Sequence, residues 1–152
     1  MYIWITLVGI LILDRISKII VQHYVPLGQS IVVIPHFFHI TYILNPGAAF
    51  GILAGQNWFF ISISILVIGA IIYFHKQVPV EQKLMSICMG LIGGGALGNF
   101  YDRLFVGKVV DFLDFKVWSY IFNIADSALV VGGLALALLI FLQDKKSKSV
   151  EK

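Results

Sequence analysis

The sequence predicts an α-helical integral membrane protein with four transmembrane helices, a small extracytoplasmic β-sheet and an interfacial segment before the last helix. Three observations carry this expectation. Hydrophobic residues make up 59% of the chain and charged residues 12%, against about 25% charged in an ordinary soluble domain. Apolar runs recur at 2–21, 58–74, 84–101 and 121–142, each close to the ~20 residues a helix needs to cross ~30 Å of hydrocarbon. Between the first two runs lies a long connection rich in β-branched and aromatic residues, which favours strands. One membrane-embedded domain over 1–152 is expected, with spans at about 1–21, 58–75, 84–103 and 121–143 and outward segments at 24–57 and 104–120.

The first run has neither a basic leader nor an Ala-x-Ala-like site and is followed by further apolar runs, so it reads as a retained span. Asp14 and Lys18 stand at i and i+4 on one of its faces, toward the outward end. Two readings are open for them: a structural ion pair with Lys18 snorkelling, or a pair that orients a site. Net charge is +3, and the lysines set orientation. Lys76 and Lys83 flank the second connection, Lys145, Lys146, Lys148 and Lys152 crowd the tail, and 23–57 holds no Lys or Arg. Both termini and the second connection are therefore expected in the cytoplasm, although Arg103, Lys108 and Lys116 weaken the contrast. The single cysteine, Cys88, lies within the third span, so no intramolecular disulfide is expected.

In the first outward segment, 29–34 and 37–43 read as strands broken at Pro35. His36 and His39 read as ordinary strand residues, because no third ligand follows at a metal-binding spacing. Asn45-Pro46-Gly47-Ala48-Ala49-Phe50-Gly51 is a shaped loop, either a tight turn or a substrate-facing loop, in which Ala48 and Ala49 leave room for close approach. Asn57 is expected to cap the second span, and His75 to sit at its far interface.

The third span carries Gly90, Gly94 and Gly98 at four-residue spacing, which predicts a neighbouring helix against that face. Asn99, Asp102 and Arg103 follow at i, i+3 and i+4, and Asp102 reads either as a salt-bridge partner of Arg103 or as a site residue. The third connection mixes apolar and charged residues and reads as lying in the interface, with Asp111 wedged between Val110 and Phe112 and Asp114 solvated beside Lys116. In the fourth span Asn123 and Asp126 share a face about a turn and a half past the helix start, and Gly132 and Gly133 permit close packing. Rise per residue brings Asp14, Asn99, Asp102 and Asp126 to one depth, in the outward third.

Ionisable groups at such a depth are costly and imply function. Two carboxylates sharing one proton can activate a water and protonate a peptide, and Asp111 and Asp126 suit this best. A divalent metal held by Asp111, Asp126 and Asn123 is an alternative, since hard cations take oxygen ligands, but no histidine joins them. Ser127 lacks a histidine at its depth and Cys88 is buried too far for thiol chemistry. Outside enzymes, a small proton-linked carrier would also place carboxylates in spans, though near the midplane and with repeated halves. A non-catalytic assembly subunit would leave the convergence of acids unexplained.

Five blocks carry a resemblance over nearly the whole chain: Asp14-Arg15-Ile16-Ser17-Lys18, Asn45-Pro46-Gly47-Ala48-Ala49-Phe50, Gly98-Asn99-Phe100-Tyr101-Asp102-Arg103, Val109-Val110-Asp111-Phe112 and Phe122-Asn123-Ile124-Ala125-Asp126-Ser127. In order and spacing they resemble the lipoprotein signal peptidases, bacterial signal peptidase II. The resemblance implies an aspartic endopeptidase of the bacterial cytoplasmic membrane that cuts diacylglyceryl-modified prolipoproteins before the lipid-bearing cysteine, on the outward side. It implies Asp111 and Asp126 as the catalytic dyad, and Asp14, Lys18, Asn45, Gly47, Asn99, Asp102, Arg103, Asn123 and Ala125 as residues that support the site or touch substrate. It also implies a small extracytoplasmic sheet after the first span and a mobile element before the last. No metal or other cofactor is expected. Expected partners are lipidated prolipoproteins and bilayer lipids, with no nucleic acid, and the protein is expected to be a monomer. Tyr42-Ile43-Leu44 departs from the family, whose members often carry a polar or basic residue before Asn45.

Overall fold

The computed structural model describes residues 1–47, 53–79 and 81–150, except the side chains of 147, 149 and 150. Ala48, Ala49, Phe50 and Gly51, the second part of the shaped loop expected from sequence, lie outside the described residues. In chain order the elements are α1 (Tyr2–Tyr24), β1 (Ser30–Ile34), β2 (Phe38–Asn45), α2 (Asn57–Phe74), α3 (Lys83–Phe105), β3 (Val109–Phe115), β4 (Ile121–Phe122) and α4 (Ile124–Val150).

Among the described residues three helices are long and apolar enough to cross a membrane, within Asn57–Phe74, Lys83–Phe105 and Ile124–Lys146. The 23-residue α1 has the length but carries Asp14, Arg15 and Lys18 in its second half. Its burial is inverted relative to a water-soluble helix. Asp14 and Lys18 are fully buried, whereas Ile5, Val8, Ile12, Ile16 and Ile19 are exposed. Such a helix suits an apolar solvent outside and a polar seam inside.

Helix α3 is the hub, packed on α1, α2 and α4. The glycine stripe explains how closely they meet. A Cβ on Gly90 would stand 2.6 Å from the Ile3 carbonyl oxygen and from the Thr6 side chain, and one on Gly94 would stand 2.7 Å from the Leu7 carbonyl oxygen and from Ile10. Gly95 faces the backbone of Ala125 and the Leu129 side chain, and Gly132 faces the Cys88 carbonyl. The neighbour expected against Gly90, Gly94 and Gly98 is thus chiefly α1. Gly133 has nothing within 4 Å of a Cβ and does not mediate packing.

The strands form one antiparallel sheet in the order β1-β2-β3-β4. The first and third connections therefore enter the same sheet, and within the third connection, expected as an interfacial segment, Val109–Phe115 forms the most buried strand. Val109, Val110, Asp111 and Phe112 are all buried. Phe112 packs with Val21 and Val25 at the end of α1, joined by Ile40, Tyr42 and Ile124. The β1–β2 turn places His36 at φ 59°, in the left-handed region, so it is a turn residue and not a strand residue. Asp114 is also buried: it accepts hydrogen bonds from Thr41 Oγ1 at 2.5 Å and from Lys116 Nζ at 2.5 Å. Burial acts to raise its carboxyl, but the bonds from Lys116 and Thr41 prevail and hold it below the ordinary value.

Two helix starts differ from expectation. Helix α4 begins at Ile124, because Ile121 and Phe122 pair with Asp114 and Leu113 of β3. Asn57 is the first residue of α2, not its cap, and its Nδ2 donates to the Arg103 carbonyl at 2.9 Å. That bond ties the start of α2 to the last turn of α3.

Candidate active site

Where the sheet meets the helix bundle, a cavity of about 210 Å³ is lined by Asn45, Gly47, Asn99, Arg103, Asp111, Tyr120 and Asp126, with Phe60, Ile63 and Val67 of α2 as its apolar wall. Asp111 reaches it from β3 and Asp126 from the first turn of α4.

Asp126 is held by a capping box. The Asp126 backbone N–H donates to Asn123 Oδ1 at 2.9 Å, and the Asn123 N–H donates to Asp126 Oδ2 at 3.2 Å. Ser127 Oγ donates to the Asn123 carbonyl at 2.9 Å, so this serine serves the helix terminus. Asn99 Nδ2 completes the support by donating to Asp126 Oδ1 at 2.7 Å. Asp111 is bracketed in the same manner. Its Oδ1 accepts from Asn123 Nδ2 at 2.6 Å and its Oδ2 from Asn45 Nδ2 at 2.8 Å. Asn45 also accepts the Gly47 N–H at 2.9 Å, which shapes the described part of its loop. Each carboxylate oxygen thus takes one amide donor, and its remaining lone pair is available to the cavity.

Burial, followed by the charge of Asp126, raises the Asp111 carboxyl to about 7, even though the bonds from Asn45 and Asn123 and the charge of Lys18 act to lower it. The Tyr120 phenol is pushed well above its ordinary range by burial and by the carboxylates of Asp126 and Asp111, so it stays protonated at neutral pH.

Behind the cavity lies a second polar layer. Lys18 Nζ is 2.8 Å from Asp14 Oδ2 and 2.8 Å from Asp102 Oδ2, and all three side chains are fully buried. The contact to Asp14 is ionic, and Oδ2 of Asp14 has no aligned hydrogen bond. Lys18 also donates to Asn99 Oδ1 at 3.3 Å. Asp102 is ion-paired to Arg15 and not to Arg103. Adjacent helix positions diverge by about 100°, so Asp102 turns toward α1 while Arg103 turns toward α2. There the Arg103 guanidinium lies 4.6 Å from the Phe60 ring centroid and donates to the Gly47 carbonyl at 3.3 Å. Ala125 is fully buried, its N–H bonded to Asp14 Oδ1 at 3.0 Å and its methyl facing Gly98.

All eleven site residues singled out in the sequence therefore converge on this cavity or on the layer behind it. Sequence reasoning missed Arg15 and Tyr120. Arg15, inside the first block, reaches Asp102 and covers the Tyr101 ring at 4.2 Å, and its position one step from Asp14 disguises it. Tyr120 has no sequence signal, because the chain reversal that brings it over the cavity depends on β3–β4 pairing. Among the described residues no group of three or more His, Cys, Asp or Glu could hold a metal ion.

A model of the family described as signal peptidase (SPase) II matches residues 6–142. The chain belongs to the signal peptidase II family. Its relatives there include a lipoprotein signal peptidase of Desulfitobacterium hafniense (strain DSM 10664 / DCB-2), 52% identical over 151 residues that cover 99% of this chain and 100% of that one. Another, from Pelotomaculum thermopropionicum, is 38% identical over 152 residues, covering 100% and 99%. A solved bacterial membrane enzyme, determined in meso at 2.3 Å, superposes with a TM-score of 0.86 at 39% identity, covering 95% of this chain and 89% of that one. A second, at 1.9 Å, gives 0.80 at 40% identity, covering 90% of each. The signal peptidase II chain is thus a membrane protein and a peptidase, and the carrier alternative is not favoured.

Proposed function

We propose that this signal peptidase II family member removes the signal peptide from diacylglyceryl-modified prolipoproteins as an intramembrane aspartic endopeptidase, cutting the bond before the lipidated cysteine. The observation that carries the mechanism is that Asp111 and Asp126 line one cavity, each bracketed by amide donors, with Asp111 raised to about 7. One proton is shared by the pair near neutral pH. The ionised carboxylate takes a proton from a water, whose oxygen bonds to the scissile carbonyl carbon. The protonated partner hydrogen-bonds the carbonyl oxygen as it gains charge, and the proton taken from water is delivered to the nitrogen as the C–N bond breaks. Arg103, Asn45 and Gly47 on the same wall are placed to hold substrate backbone.

The reading extends to a single domain over 1–152 with α1 as a fourth span, working as a monomer in the bacterial cell membrane without a metal and in contact with bilayer lipids. The lysines at 76, 83, 145, 146, 148 and 152 support cytoplasmic termini and an outward-facing site. The test is cleavage of a lipidated prolipoprotein peptide by detergent-purified protein, with and without chelator. Turnover unchanged by chelator and lost in both Asp111→Asn and Asp126→Asn is expected. Retained turnover in the two variants refutes the dyad, and loss on chelation refutes the metal-free mechanism.

A further inference from the structure

The layer behind the cavity has a regularity that charge burial alone does not require. Asp14 accepts the N–H of Ala125, the residue immediately before Asp126. Asp102 accepts the N–H of Val110 at 3.2 Å, the residue immediately before Asp111. Asp14 and Asp102 thus each grip the backbone one step ahead of a dyad carboxylate, and the Lys18 ammonium lies 2.8 Å from both.

We propose that Lys18 is a positioning residue of the reaction: by tying Asp14 to Asp102, it sets the separation and mutual orientation of Asp111 and Asp126. This rests on the dyad reading above. Strand β4 already ties β3 to the start of α4, because Phe122 pairs with Leu113 two residues before the helix begins, but that pairing lies beyond Asp111 and does not itself reach either dyad carboxylate. Beside that pairing and the packing of Phe112 on Ile124, two polar bridges act at the dyad itself: Asn123, which donates to Asp111, and the Asp14–Lys18–Asp102 clamp. Lys18 could have snorkelled to the membrane surface, as long cations near helix ends do. It is instead fully buried, at a desolvation cost that ion pairs in a low-dielectric interior rarely repay. Holding a reacting geometry is worth such a cost, because a misplacement of about 1 Å can lower a rate about 100-fold.

The decisive variant is Asp14→Asn/Lys18→Met. It removes one negative and one positive charge together, leaves Asp102 paired with Arg15, and keeps a side-chain amide oxygen as acceptor for the Ala125 N–H. The groups left facing Asp111 are Asp126 from α4, Arg103 from α3 and Tyr120 from the segment before β4, with Asp102 behind them. Measured on lipidated prolipoprotein peptide in detergent, kcat should fall about 100-fold with KM within about threefold. Because the two opposite charges leave together, the alkaline limb of the pH–rate profile should stay within about half a unit, so that the fall in kcat reports geometry and not a change of protonation. Thermal stability should stay near that of the unmodified protein. Unchanged kcat in the folded variant overturns the proposal, and so does failure to fold, since Lys18 and Asp14 would then serve the fold alone. Cleavage that survives in Asp111→Asn would instead refute the dyad and leave the clamp without a reaction to position.

Discussion

At the sheet end of the bundle, α1, α3 and α4 meet through Asp14, Lys18, Asn99, Asp102 and Asn123, every one of them buried. At the end that carries the chain termini the same helices meet through Gly90, Gly94 and Gly132, and α2, α3 and α4 enclose an apolar cavity of about 680 Å³ walled by Ile71, Met85, Met89, Leu136 and Ile140. Both interfaces are close, but they restrain different things. Close packing of small residues fixes how near two helices lie and tolerates a slight slide or rotation. Hydrogen bonds and ion pairs with defined acceptors also fix which atoms face each other. The reacting groups sit at the end where that additional restraint is present.

The sharpest division between the two ends is expected from the dyad itself. Asp111→Asn and Asp126→Asn should each lower kcat by roughly 10⁴-fold or more, without loss of the folded protein on gel filtration in detergent. The same site should show its protonation state. With Asp111 raised to about 7, the shared proton leaves as pH rises, so kcat/KM should decline above about pH 7. The stability sign follows: a carboxyl that ionises later in the folded chain than in the unfolded one makes the folded state bind more protons, so its contribution to stability falls as pH rises from about 4 to about 7. Melting curves across that range check it, and a rate that keeps rising past pH 8 would contradict the shared proton.

Asn123→Ala is expected to come next, with kcat down about 100-fold, because it removes the bond to Asp111 Oδ1 and the cap that holds Asp126. Stability should fall by about 1 kcal/mol for the lost cap. Two glycine substitutions then set the ends against each other. A Cβ on Gly98 would lie 2.6 Å from Asp14 Oδ2, and a Cβ on Gly90 would lie 2.6 Å from the Ile3 carbonyl oxygen. Both Gly98→Ala and Gly90→Ala should cost about 1–3 kcal/mol by overpacking. Gly98→Ala should also lower kcat, because Asp14 holds the Ala125 N–H, whereas the Gly90→Ala protein that remains folded should turn over normally. Equal losses of kcat would erase the distinction between the ends. Gly133→Ala, with open space around its Cβ, should leave stability within about 0.5 kcal/mol and activity unchanged.

Much of the site is legible in the residue order. Asp14, Asn99, Asp102 and Asp126 share a depth because rise along a helix is a local property, and the structure joins them by direct contacts. Asp111 stands out as an acid between Val110 and Phe112. What misleads is the choice of partners. Adjacency suggests Arg103 for Asp102, although neighbouring helix positions point in different directions. Lys116 makes Asp114 look solvated, whereas Thr41 from the paired strand seals it. The strand within 104–120 goes unread because alternation alone does not reveal that a strand partner waits more than sixty residues upstream, as Asn45 does for Val109.

What the residue order determined by itself was local: where apolar length suffices for helices, where glycines allow contact, where the first two strands begin, and at what depth each helical acid of the site stands. Backbone hydrogen bonding and side-chain periodicity operate over a few residues, so these follow from the chain directly. Which cation each acid took, the capping box that aims Asp126, and the joining of β3 to β2 were decided only by the assembled fold. Each depends on the relative rotation and offset of elements distant in sequence, and those are set by the sum of all packing contacts.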